Sequence, residues 1–145
     1  MKYANSNIER FVEAQNSSYS GYEVALSEIR AGRKTSHWIW YIFPQFRAFA
    51  HSSTADYYGI ADRREAELYL SHPILNSRLR EITKALLQHT DKSAVEIFGE
   101  LDAGKVRSSM TMFDYLSPND IYGQVLDLFY GGVRGGRTLR EIEKG

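Results

Sequence analysis

The sequence predicts an all-α protein, one domain over residues 1–145 built from about seven or eight helices. Capping residues followed by apolar positions three and four apart recur along the chain, whereas apolar/polar alternation of strand length does not. A content of 43% hydrophobic and 13% aromatic residues supplies one core without disulfides or metals.

Asn7 can cap a short helix carrying Ile8, Phe11 and Val12. A turn rich in Asn, Ser and Gly leads into a helix over 22–31, with Ala25, Leu26 and Ile29 inward and Gly32 as its stop. The apolar run 38–43 fits a buried strand or a buried helical turn, and the helices around it favour the turn. Asp62 with Glu65 and Ser93 with Glu96 have capping-box spacing, which starts helices over 63–71 and 94–98. Ser71 or His72 caps a long helix with Pro73 in its first turn, and Ile74, Leu75, Leu79, Ile82, Leu86 and Leu87 form its inward stripe. A helix over 105–116 stops before Pro118, and another over 120–130 turns Ile121, Val125, Leu126 and Phe129 inward. Thr138 opens a short charged tail helix.

Eighteen Lys plus Arg balance eighteen Asp plus Glu. That balance argues against a coat for nucleic acid or an anionic membrane, because both tasks rely on a basic face. The longest apolar run, 38–44, is far short of the roughly 20 residues that span a bilayer, so a soluble, cytoplasmic protein is expected. With no Cys, thiolate zinc sites, iron–sulfur clusters and cysteine nucleophiles are excluded. His37, His51, His72 and His89 lack metal-ligand spacing, so no metal or cofactor is expected. Composition does not set the oligomeric state.

The densest chemistry lies in 32–45. If Ser36 caps a helix there, its first N–H groups and the helix dipole stand beside Arg33 and Lys34, which outlines an anion site. Trp38, Tyr41 and Gln45 would share one helix face beside His37, an arrangement suited to a nucleobase or sugar attached to a phosphate. Trp40 and Phe43 read as core, while Trp38 with His37 reads equally well as core or as ligand contact. A second block, 107–113, sets Arg107, Ser108, Ser109 and Thr111 on a helix that should be buried. The serines are explained by close helix packing. A guanidinium there needs either a carboxylate, with Asp102, Asp114 and Glu96 as candidates, or an anionic ligand together with Ser108 and Thr111. The run 131–138 nearly spells a phosphate loop, but it follows an amphipathic helix instead of a strand and reads as a helix stop and loop.

Phe11-Val12-Glu13-Ala14-Gln15, the block Arg33-Lys34-x-Ser36-His37-Trp38-x-Trp40-Tyr41-x-Phe43-Pro44-Gln45, His72-Pro73, Ile97-Phe98-Gly99, Arg107-Ser108-Ser109-Met110-Thr111 and Tyr130-Gly131-Gly132 follow a known order. In these blocks the chain resembles the bacterial domain-of-unknown-function 1810 family, small proteins often labelled calpastatin, and the resemblance implies a compact, mainly helical fold. It supplies no established activity. The chain departs from its relatives at Phe46-Arg47-Ala48-Phe49, where they tend toward a Gly-containing turn. A fold-level likeness to the helical NADAR domains, which act on ADP-ribose conjugates and related N-glycosides, transfers no catalytic residue.

The expectation is a pocket for a small anionic, nucleotide-like or ADP-ribose-like molecule, lined by Arg33, Lys34, Ser36, His37, Trp38, Tyr41, Gln45, Arg107, Ser108 and Thr111. Cleavage of an N-glycosidic bond would need a carboxylate to stabilise the sugar cation and His37 or a nearby acid to protonate the base. The alternatives are a module that holds the ligand unchanged and a protein-interaction domain with an exposed aromatic patch.

Overall fold

His72 and Gly99 start the two long helices on which the rest of the chain packs. The computed structural model describes residues 7–145. Its helices are α1 Glu9–Gln15, α2 Tyr22–Ala31, α3 Ile39–Ile42, α4 Ser53–Tyr58, α5 Arg63–Ser71, α6 Pro73–Leu86, α7 Ala94–Phe98, α8 Glu100–Leu116, α9 Ile121–Tyr130 and α10 Gly136–Glu143. A 3-10 turn, Arg47–Phe49, lies between α3 and α4. Ten α-helices among the described residues exceed the expected seven or eight, because α3 and α4 are only four and six residues long.

Helix α6 carries α1 and α2, while α8 carries α3, α7 and α10; α5 and α9 touch both long helices and join the two groups. The His72 ring caps α6 by accepting from the Ile74 and Leu75 N–H groups through Nδ1, and its Nε2 lies 2.8 Å from Glu9 of α1. Leu75, Leu79, Ile82 and Leu86 of α6 are buried as the periodicity requires, but Ile74, expected inward, is 43% exposed. The second half of α8 is buried nearly all round, with Val106, Ser109, Met110, Thr111, Met112 and Phe113 enclosed. Such a helix has little amphipathic signal, so its start, five residues before the expected Lys105, was not visible in the pattern.

Two caps differ from expectation. The residue before α1 is Ile8, not Asn7, and no side chain caps that helix; Asn7 contributes its carbonyl to Arg10 instead. Helix α3 begins after Trp38 without a side-chain cap, because the Ser36 hydroxyl is engaged elsewhere. Ser93 and Glu96 form the expected reciprocal box, and Asp62 caps α5 through the Glu65 N–H.

Thr111 fixes the glycine-rich segment after α9. Its hydroxyl donates to the Arg107 carbonyl and accepts from the Gly135 N–H at 3.0 Å, deep in the fold. Thr111→Val leaves that buried donor unmade and should cost about 1–3 kcal/mol in urea unfolding, with an unchanged far-ultraviolet spectrum. A loss below about 0.5 kcal/mol would mean the segment is not held here.

Candidate functional site

The turn that sequence chemistry marked as an anion site is wrapped around the protein's own Glu28. This α2 carboxylate accepts from the Thr35 N–H at 2.8 Å, the Ser36 N–H at 3.0 Å, the Ser36 hydroxyl and the Trp38 indole N–H at 2.9 Å. Desolvation pushes its pKa up, but the hydrogen bonds from Ser36, Thr35 and Trp38 outweigh that and hold it at about 2. The expected ligand position is therefore taken by Glu28, a partner with no motif around it, 7 to 10 residues before the donors it meets.

Trp38 is fully buried and serves as the floor of the turn, with the Lys34 ammonium 5.1 Å above its ring. Lys34 pairs with Asp102 at 2.9 Å, donates to the Ser36 carbonyl, and through its N–H bonds the Ile97 carbonyl of α7. Tyr41 is buried as well, its hydroxyl donating to Ser20. Arg33 is exposed. Gln45, beyond Pro44, borders a different cavity described below.

A groove of about 410 Å³ opens where this turn meets the start of α8, lined by Lys34, His37, Trp40, Phe98, Leu101 and Lys105, with Gly99, Glu100 and Asp102 along its edge. Of the expected residues it gathers Lys34 and His37. Trp40, read as core, is half-buried and forms one wall, with Lys105 5.7 Å over its ring. Gly99 makes the corner that shapes the groove: at φ 83° and ψ 165° it ends α7 and begins α8 in a single step, a conformation that only glycine adopts readily. No side chain caps α8. Its first N–H groups, which lack intrahelical partners, lie along this edge. The formal charges balance, since Lys34 and Lys105 offset Glu100 and Asp102. The structure marks Phe98, Leu101 and the α8 start as groove residues that motif reading passed over; the Ile97-Phe98-Gly99 corner was their only signal.

The second block does not reach this groove. Thr111 is consumed by Gly135, and Ser108 is half-buried on α8. None of the carboxylates expected to pair with Arg107 does so: Asp102 holds Lys34 and Lys105, Asp114 holds Arg134, and Glu96 closes the α7 box. The Arg107 Nε is buried without a hydrogen-bond partner.

Fold and groove define a small multihelical protein with an open, aromatic-walled groove at a helix–helix corner. The chain belongs to the family described as "Protein of unknown function (DUF1810)", whose profile matches residues 5–142. It is similar to the crystal structure of the conserved hypothetical protein Rv1873 from Mycobacterium tuberculosis, with 39% identity, a TM-score of 0.89, and coverage of 94% of this chain and 96% of that one. No curated protein matches it. Among the described residues no helix is long and apolar enough to cross a membrane.

Proposed function

We propose that the groove between the 33–40 turn and the start of α8 binds a phosphate-bearing, nucleotide-like or ADP-ribose-like small molecule. The observation that carries this reading is that one opening joins a half-buried Trp, an exposed His and an uncapped helix start. The ligand packs against the Trp40 wall with its sugar on Phe98 and Leu101, and its phosphate takes the α8 N–H groups beside Lys105. Lys34, already paired, orders the turn and adds its charge from the side.

Cleavage of an N-glycosidic bond is the second reading, favoured because His37 and the exposed Glu100 border the same groove as candidate acid and carboxylate. Thermal-shift titration with ADP-ribose, NAD, AMP and inorganic phosphate tests binding. A ligand at about 100 times its dissociation constant adds roughly 2.7 kcal/mol. Trp40→Leu, which keeps apolar bulk, should abolish the shift, and a shift that survives it would sink the groove reading. Chromatography of the same incubations decides catalysis. Products formed by the wild type and lost in Glu100→Gln support cleavage, whereas ligand recovered intact leaves a holding module.

A further inference from the structure

Trp40 and Lys105, which line the groove, also border a second cavity. It is lined by Phe43, Gln45, Phe46 and Tyr58 and roofed by Ala50, just after the 3-10 turn, and Ala55 of α4. As it stands the cavity holds about 10 Å³, room for about one water. Its floor and its roof are built differently. Ile39, Phe43 and Phe46 beneath are at most 2% exposed, while no residue from Arg47 to Tyr57 is buried.

The roof is tied at its ends. The Arg47 N–H donates to the Ile60 carbonyl at 2.8 Å, and the Ile60 N–H donates to the Gln45 carbonyl at 2.9 Å. Gly59 passes so near Arg47 that a Cβ there would stand 2.4 Å from the Arg47 Cα. The Arg10 guanidinium grips the carbonyls of Tyr57 and Gly59. Between these ties the segment has internal bonds, from Arg47 Nε to the Asp56 carbonyl and from the Ala55 N–H to Ser52, and the Arg137 guanidinium lies 4.4 Å over the Phe49 ring. A surface loop with closed ends, its own hydrogen bonds and little buried area is a unit that opens at low cost.

We infer that residues 47–57 are a lid over a ring-binding compartment, and that the compartment takes a planar heteroaromatic ring once the lid lifts on its tied ends. The walls carry the aromatic side chains of Trp40, Phe43, Phe46 and Tyr58, the cation of Lys105, and in Gln45 an amide that both donates and accepts, a set that suits a nucleobase-like ring. This compartment deepens the groove reading and rests on it: the ring lies behind Trp40 while sugar and phosphate stay in the groove.

The test is amide and side-chain chemical-shift mapping of the wild type with adenosine, ribose 5-phosphate and AMP, repeated with Ala55→Leu, which fills the compartment from the lid. Adenosine should shift the Gln45 side-chain amide and the Ala55 N–H. Ala55→Leu should weaken AMP about tenfold while leaving ribose 5-phosphate unchanged. The inference is overturned if adenosine leaves Gln45 and Ala55 unmoved, or if the variant binds AMP as the wild type does. Should Ala55→Leu fail to fold, Ala50→Leu fills the same space. Absence of any shift at His37 or Leu101 with AMP and ribose 5-phosphate would instead remove the groove reading, and the adenosine arm alone would still decide the compartment.

Discussion

Arg10→Ala is expected to lower the unfolding free energy by about 3–5 kcal/mol, the largest effect of any single change considered for this fold. Arg10 and Glu65 are 4% and 5% exposed and meet through two hydrogen bonds of 3.1 and 2.9 Å. The guanidinium also donates to the carbonyls of Asn7, Tyr57 and Gly59, and Glu65 accepts from the Ala61 N–H. Removing the cation strands a buried carboxylate and frees three carbonyls at once, and α1, the chain around Gly59 and α5 lose their common tie. Urea unfolding measures the loss; a change below about 1 kcal/mol would show that water replaces the arginine. The paired change Arg10→Met with Glu65→Leu should recover only the part due to the uncompensated charge, because Met and Leu leave the Tyr57 and Gly59 carbonyls and the Ala61 N–H without the partners they had.

Glu28→Gln is expected to cost about 2 kcal/mol at pH 7, a figure reduced for the partial solvent access of the carboxylate. The amide keeps its oxygen toward the Thr35, Ser36 and Trp38 N–H groups and turns its NH2 to the Ser36 hydroxyl, which then accepts, so what is lost is the charge that strengthens all four bonds. The pH dependence follows from the same carboxylate. A group held at about 2 in the folded protein, against 4.5 when free, takes up its proton first in the unfolded chain. Its contribution is complete above about pH 4.5 and drains away as pH falls toward 2. Asp120 behaves alike, held at about 2 chiefly by hydrogen bonding to Arg80, so Glu28→Gln should flatten the acid limb of the stability curve without abolishing it. An acid limb identical to the wild type would show that Glu28 does not hold the turn.

Most helices were legible because each carries its signal locally. Gly32, the Ser93 and Glu96 pair, and His72 with Pro73 mark ends within a few residues of the bonds they make. The start of α8 was not, since residues 100–104 are mixed in polarity and Gly99 turns the corner by its backbone conformation with no capping side chain to mark it. Helix α4 escaped notice because none of its residues is buried and no apolar period exists to find. The site was half legible. Lys34 and His37 border an opening, but spacing could not show that Glu28 fills the turn, because carboxylate and donors meet only after α2 has folded back on the block. Trp40, expected in the core, stands at the wall, and of the two readings open for Trp38 the structure takes the core one, with its indole N–H bonded to Glu28.

The most direct test of the groove is chemical-shift mapping with ADP-ribose on the wild-type protein. The groove reading predicts that the largest changes fall on His37, the Trp40 indole N–H and the amides of Gly99, Glu100 and Leu101, and that Trp40→Leu removes them. Changes clustered on Arg107 and Tyr130 instead, or none at saturating ligand, would contradict it.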